Sequence, residues 1–298
     1  VLIAVIVACG CYASHADERD DDIGVADVAD RGADADVDVD GDADAGVDAD
    51  ADVSCAPNTC PSDMVYVPCG PFVMGSDPGA GFASEMPEHV VTLSAYCIDL
   101  TEVTAAAYRA CMAAGGCTAP VLAYRPDEHP VDHVDWNQMS AYCAWAGKRL
   151  PTEAEWEKAA RGGCDMVAPE TCGTEDERTY PWGEEEPTCS RANYREGTSS
   201  CMGEADTVGV RPLGDSPYGV HDMAGNVREL VSDWYGDTYY STCASGCGDP
   251  TGPSLGGFRI IRGGDFMHPS SYVRTAHRDG IVPWGTAEGS GGRCARTP

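Results

Sequence analysis

The sequence predicts a chain of a few helices and short strands, poor in regular structure and stapled by disulfides. Three observations carry this reading. Of sixteen cysteines, fourteen lie between Cys55 and Cys294. Their number is even, no CxxC knuckle occurs, and they are not grouped with histidines, so they read as disulfides in an oxidising compartment rather than as zinc ligands. Three stretches between residues 101 and 163 carry helix caps and helical spacing. Beyond residue 161, Gly, Pro, Asp and Ser dominate, with scattered Trp and Tyr and little periodicity. The chain has 298 residues, ample for a core in one large domain or two small ones.

The first residues, "VLIAVIVACGC", are apolar but too short to cross a bilayer. "IVAC" has the form of a bacterial lipoprotein cleavage site, which makes residues 1–11 a signal segment and Cys9 the lipidated residue. An ordinary signal peptide cut near Ala13 to Ala16 is the alternative. Residues 12–54 include "DRGADADVDVDGDADAGVDADADV", which alternates Asp with Ala or Val and lacks large apolar side chains. Such a segment repels itself and buries too little surface to fold, so it reads as an extended acidic tether. Within it, Asp36, Asp38, Asp40 and Gly41 match the first half of an EF-hand loop, but Val47 stands where the bidentate Glu is required, and the match fails there. The net charge is −30. A direct nucleic-acid role is therefore excluded from the expectation, because phosphate contacts need clustered Lys and Arg.

The folded part is expected over residues 55–298. "DMVYVPCGPFVMGS" and "HVVTLSAYCID" read as short strands broken by Pro and Gly. "TEVTAAAYRACMAAGGC" reads as a helix capped by Thr101 or Asp99 and stopped at Gly115. "DWNQMSAYCAWAGKRL" reads as a second helix, with Asp135 as cap and Gly147 past its end. In "LPTEAEWEKAARGG", Thr152 and Glu155 form a capping box, and Trp156, Ala159 and Ala160 share one face. Arg149 and Glu155 are placed to tie a loop to this helix start. Short separations suggest local disulfides: Cys55 with Cys60, Cys111 with Cys117, Cys164 with Cys172, Cys189 with Cys201, and Cys243 with Cys247. No repeat, Walker loop or dinucleotide fingerprint is present.

Several stretches occur in an order that resembles the sulfatase-modifying factor family, whose best-known members are the formylglycine-generating enzymes. They are "MVYVPCGPFVMGS", "EMPEHVVTLSAYCIDLTEVT", "HPVDHVDW", "AYCAWAGKRLPTEAEWEKAARGG", "YPWG", "SPYGVHDMAGNVREL" and "RIIRGGDF…RTAHR…GGRCAR". The resemblance runs from about Asp63 to Arg296. It implies a single loop-rich α+β domain related to C-type lectins. It also implies a disulfide between Cys143 and Cys294, which leaves Cys69 and Cys97 as a seventh pair. Family members bind calcium near an N-x-x-G-N-x-x-E stretch. Carried over, Asp222 and Glu229 would give side-chain oxygens, and Gly225 and Val227 carbonyl oxygens, the hard donors that suit calcium. A second family site would begin at Asn193 and Tyr194, but its downstream half does not align.

The enzymes of the family hold copper with two cysteines in a "GGS-x-x-C-x-x-x-x-C" stretch, since soft thiolates suit Cu(I). Here that stretch reads "GGDFMHPSSYV". His268 and Val273 stand at the two cysteine positions, and Asp265 replaces the serine. Arg228 and Leu230 stand where the enzymes favour tryptophans. Formylglycine-generating activity is therefore not expected. Two readings follow. In the first, the domain is a binding module for a protein or glycan at the cell surface, periplasmic or outer, held to the membrane by its lipid anchor alone. Phe266, Tyr272, Arg274, Arg278 and Trp284 would be its contact surface, as in lectin-like variable proteins. In the alternative, the chain is an oxidoreductase with a rebuilt copper or iron site of Met267, His268, His277 and Asp265. The iron oxidases of the family carry their ligands in an extra N-terminal helical domain, and this chain has the acidic tether there.

Overall fold

A computed structural model describes residues 53–121, 125–167, 172 and 178–298. Cys9 and the Asp36–Val47 segment of the tether lie outside the described residues. The elements run β1 (Met64–Val67), β2 (Gly70–Met74), β3 (His89–Leu93), β4 (Tyr96–Asp99), α1 (Ala105–Ala113), α2 (Trp136–Trp145), α3 (Glu153–Arg161), β5 (Arg195–Glu196), β6 (Ser199–Ser200), β7 (Arg228–Trp234), α4 (Tyr239–Thr242), β8 (Cys247–Gly248), β9 (Arg259–Arg262), β10 (Arg278–Ile281), β11 (Ser290–Gly291) and β12 (Ala295–Arg296). This is the expected α+β architecture of few helices and short strands.

The strands form small sheets rather than one layer. β4 lies between β1 and β12, so the C-terminal end closes onto the β1–β4 pair. β10, β9, β7 and β11 form the longest sheet, in that order. β3 pairs with β2 and with β8, and β5 with β6 makes a separate hairpin. The central core packs α3 against β2, β3, β7 and β9 through Phe72, Val91, Trp156, Val231 and Ile260. A second core under α1 and α2 holds Tyr108, Met139, Leu230 and the Cys143–Cys294 disulfide. That bridge has a Cα–Cα distance of 5.6 Å and closes a separation of 151 residues. In the loop-entropy account a closure of this length contributes roughly 5 kcal/mol.

The helix signals are met with one correction. α2 begins in a capping box of Asp135 and Gln138, and α3 in one of Thr152 and Glu155. α1 is capped by Thr104, whose hydroxyl accepts from the Ala107 N–H at 3.2 Å, and not by Thr101 or Asp99. Asp99 is instead the end of β4, where it receives Lys148 at 2.5 Å and the Cys294 N–H at 2.8 Å. Gly115 follows the end of α1 with φ +77°. All nine residues of α3 are buried, not one face.

Five of the seven disulfides among the described residues match the expected pairs. Cys143 is bonded to Cys294, as the family resemblance implies. The four others are local. Cys111, in the last turn of α1, is bonded to Cys117 just past its end, six residues on. Cys164 is bonded to Cys172 across a separation of 8, in the loop that follows α3. Cys189 is bonded to Cys201 and Cys243 to Cys247. Of these local pairs only Cys111 and Cys243 are buried; Cys117 and Cys172 are half-buried, so these bridges tie loops at the surface rather than fill a core. The remaining two disulfides are Cys55–Cys69 and Cys60–Cys97, which corrects the expected pairing of Cys55 with Cys60 and of Cys69 with Cys97. Residues 54–60 lie as a strap across the β1–β4 pair. The Ser54 carbonyl accepts from Ala95 N–H, and Tyr66 donates to the Ala56 carbonyl. This course carries Cys55 to the β1–β2 turn and Cys60 to β4.

Asp233, at the end of β7, accepts from the Glu153 N–H at 2.9 Å and so serves the start of α3. Burial, and then the neighbouring Glu153 charge, push its carboxyl up to about 7. The unfolded-state value is near 4, so between pH 4 and 7 the folded chain holds the extra proton. Its contribution to stability is greatest at low pH and is lost as pH rises to 7, at up to about 1.4 kcal/mol per pH unit. Asp233→Asn keeps the acceptor and removes the titration. Urea unfolding at pH 4 to 8 is expected to show a smaller loss of stability with rising pH in this variant. An unchanged profile would contradict the assignment.

Candidate functional site

The stretch from Arg262 to Arg278 is organised by three arginines, each fastened to a carboxylate far away in sequence. Arg262 pairs with Glu157 and donates to the carbonyls of Thr275, Ala276 and His277. Arg278 grips both oxygens of Glu153 at 2.7 Å. Arg274 grips Glu85 the same way, at 2.5 and 2.9 Å. The Arg274 and Arg278 contacts are bidentate and charge-assisted. Arg274 and Arg278 are therefore scaffold, which corrects their expected place on a contact surface. Phe266 is corrected too: it is 1% exposed and packs with Ala205 and Val227. Of the expected surface, Tyr272 is half-buried and Trp284 is 70% exposed.

At the first of the two family thiolate positions, His268 points Nδ1 at Asp265 Oδ1, 2.6 Å away. Asp265 is fully buried, also accepts from the Met267 N–H, and lies 3.0 Å from Arg228 Nε. At the second position, Val273 is wholly buried among Tyr180, Ala192, Tyr194 and Ala224. A close approach fixes it there. A Cβ on Gly264 would stand 2.8 Å from both Val273 Cγ1 and the Tyr272 carbonyl, and the backbone has φ +64°, so only glycine is tolerated.

The expected ligand group of Met267, His268, His277 and Asp265 does not converge. The Tyr272 ring separates the histidines, with centroids 4.9 Å from His268 and 4.5 Å from His277. His277 also meets Phe82 edge-on. Burial, and then the Arg262 and Arg274 charges, hold the His277 imidazole down to about 3, so it is neutral at ordinary pH. Among the described residues, no three His, Cys, Asp or Glu side chains are placed to share a metal ion.

The oxygen donors expected for calcium are distributed unequally. Glu229 already accepts from Arg293 through both oxygens, at 2.7 Å each, and from Trp156 Nε1 at 2.9 Å. Asp222 accepts from the Gly209 N–H at 2.5 Å. Sequence reasoning missed Glu102, which is buried beside both and accepts from Asn226 Nδ2 and the Val227 N–H. Burial, and then the charges of Asp222 and Glu229, push its carboxyl well above the usual range. At the second site, Asn193 Oδ1 is buried with no hydrogen-bond partner among the described residues, while its Nδ2 donates to the Glu204 carbonyl. The Tyr194 carbonyl accepts from Cys201 N–H. Gly225 packs directly on the Asn193 backbone, since a Cβ there would stand 2.3 Å from the Asn193 carbonyl.

A loop-rich α+β domain that closes its C-terminal strand onto the β1–β4 pair, with a Gly-Gly turn against Trp156 of α3, defines a sulfatase-modifying-factor-type fold. Comparison with known proteins agrees. Residues 49–298 match the sulfatase-modifying factor enzyme 1-like domain. The formylglycine-generating enzyme of Streptomyces coelicolor is 34% identical, over 78% of this chain and 88% of its own length. That of Thermomonospora curvata is 40% identical over 58% of this chain, and the match spans 57% of that enzyme. PvdO from Pseudomonas aeruginosa superposes with a TM-score of 0.64 at 28% identity, over 79% of this chain and 94% of that one. The chain belongs to the FGE-sulfatase family.

Removing one partner of a buried ion pair strands the other. Arg278→Ala is expected to lower unfolding stability by about 3–5 kcal/mol, read from urea midpoints. Arg278→Met combined with Glu153→Met is expected to recover most of that loss. A single-variant loss under about 1 kcal/mol would place this pair with surface ion pairs instead.

Proposed function

We propose that the protein is an exported, lipid-anchored binding module that has left the formylglycine-generating chemistry of its family. One observation carries this reading. The positions that match the two copper thiolates are His268 and Val273, and Val273 is a core side chain. All fourteen cysteines from Cys55 to Cys294 are in disulfides, so no free thiol is left among the described residues to take their place. A valine methyl offers no electron pair to a metal, and Cu(I) selects soft sulfur donors.

Export is supported by the disulfides and by the cleavage-site form of "IVAC". The acidic tether would hold the domain off a membrane surface at the bacterial envelope. Its partner would be a protein or glycan there. Nucleic acid is not among the partners, on account of the net charge of −30. Calcium would be a structural ion. Asn193 Oδ1, without a hydrogen-bond partner among the described residues, fits a hard cation better than the engaged Glu229 does, so Asn193 and Tyr194 would hold it, with Asp222, Gly225, Val227 and Glu229 as the other donor set.

The test is elemental analysis of the full chain after dialysis against trace copper, iron and calcium. Calcium without stoichiometric copper or iron is expected. Copper or iron bound at one equivalent and lost on His268→Ala would replace the binding reading with the oxidoreductase one. Absence of calcium would remove only the structural ion. Anchoring is tested separately: in a bacterial host fed labelled palmitate, the full chain with its leader is expected to carry label that Cys9→Ala abolishes. Equal label in the variant would remove the anchor from this account.

A further inference from the structure

A half-open cleft of about 720 Å³ opens on the domain, and no residue of the 262–278 stretch lines it. It lies between the exposed face of α2, the loop before α3, and the β3–β4 corner where Ser54 enters the domain. Trp136, Ser140 and Ala144 of α2 line it at four-residue spacing, one side of the helix. The small side chains at 140 and 144 leave the space open. Its volume falls within the range of about 300–1,000 Å³ usual for small-molecule sites.

The chemistry of the walls selects the ligand. Every charge in the lining is already matched. Arg149 grips Glu155 with two bonds of 2.6 Å, Lys148 holds Asp99 at 2.5 Å, and Asp249 accepts from the N–H and hydroxyl of Ser94 at 2.7 Å each. An ionic ligand would have to displace one of these partners or bury its charge unpaired. The unmatched groups are hydroxyls. Those of Ser140, Thr251 and Thr297 take no hydrogen bond within the described residues, and each can both donate and accept. One aromatic ring supplies an apolar wall, and it is held in place. Trp136 Nε1 donates to the Val231 carbonyl at 2.8 Å, and the Arg259 guanidinium stacks 3.7 Å from the ring centroid, itself 3.6 Å from Trp234. A fixed aromatic loses little entropy on binding.

We infer that this cleft is a binding site for a neutral oligosaccharide. A sugar ring has an apolar C–H face for Trp136 and hydroxyls that both donate and accept for the serine and threonine rim. Its hydroxyls can add bonds to the Arg149–Glu155 pair without changing the charge balance. The inference rests on the binding-module reading and gives it a place, on the opposite class of surface from the arginine-locked stretch.

The experiment uses the full chain on an array of glucose, galactose, mannose and N-acetylglucosamine tri- and tetrasaccharides with sialylated and sulfated counterparts. Hits are titrated by calorimetry. Binding of at least one neutral oligosaccharide is expected, weakened tenfold or more by Ser140→Trp, which fills the cleft, and by Ala144→Glu, which places a charge in it. Both positions lie on an accessible helix face, and unchanged unfolding midpoints verify the fold. Binding only of the acidic saccharides, or of none, overturns the inference. A neutral oligosaccharide bound equally well by Ser140→Trp and Ala144→Glu also overturns the cleft, while leaving the binding reading standing. A stoichiometric redox metal overturns the binding reading whatever the array shows.

Discussion

A nine-residue helix carrying five charges is buried on every side, and the rest of the domain is arranged around keeping those charges matched. Glu153 holds Arg278, Glu155 holds Arg149, and Glu157 holds both Arg161 and Arg262. Lys158 donates to the carbonyls of Pro68 and Gly70, and Arg161 to those of Val73 and Gly75. Trp156 passes the network on to Glu229 and Arg293. The partners come from β2, β7, β9, β10 and the last turn before β12. Ion pairs of this kind add little net stability over a hydrophobic core, because desolvation offsets attraction. They penalise any arrangement in which one partner is missing. In a domain with so little regular structure, that penalty is a means of choosing one packing of loops over its rivals.

The same constraint decides what the C-terminal stretch is able to do. With Arg262, Arg274 and Arg278 each committed to a glutamate, the segment between them has little freedom. Gly264 lies against the Tyr272 carbonyl and Val273, so the second thiolate position faces a packed cluster. His268 keeps a carboxylate partner in Asp265, but Tyr272 lies between it and His277. The segment is held by its scaffold pairs, and the side chains it carries between them include a buried valine, a tyrosine and one histidine–carboxylate pair. A fold can be kept while its reactive residues change when the scaffold pairs and the reactive residues are different residues.

Local signals were legible in the sequence and long-range ones were not. The capping boxes at Asp135 and Thr152 involve residues three apart and were readable directly. So were the disulfides of separation 4, 6, 8 and 12, among them Cys111 with Cys117 and Cys164 with Cys172, because near neighbours rarely have another choice. Cys55 and Cys60 are as close in sequence as those pairs, yet they part, because a strap held at Ser54 and Ala56 draws them to different strands. The α1 cap was misplaced because Asp99, Thr101 and Thr104 all suit the role, and a strand ending at Asp99 decides among them. Arg274, Arg278 and Phe266 looked like a contact surface since their partners Glu85, Glu153 and Val227 lie tens to nearly two hundred residues away. The cleft along α2 left a faint trace, small residues at 140 and 144 on the helix face after Trp136, but its other walls come from five distant segments besides the 148–155 stretch.

Charge offers a last way to separate scaffold from function. The chain is strongly acidic, with much of that acidity placed before the first disulfide cysteine. Inside the domain, buried carboxylates are met by a cation or a backbone donor, and at one place three of them share a single cation. Glu102, Asp222 and Glu229 crowd about the guanidinium of Arg293, and burial raises both Glu102 and Asp222. Three carboxylates and one cation can share a dry site if some of the acids keep their protons, or if a further cation joins them. Protonation alone accounts for Glu102, whose two oxygens already receive Asn226 and Val227. It does not account for Asn193 Oδ1, a neutral acceptor buried nearby with nothing to accept from, for which added positive charge is the natural complement. The two features meet at Asn226, which touches Glu102 with one end and Asn193 with the other. A cation on the asparagine side would therefore also ease the crowding of acids on the other.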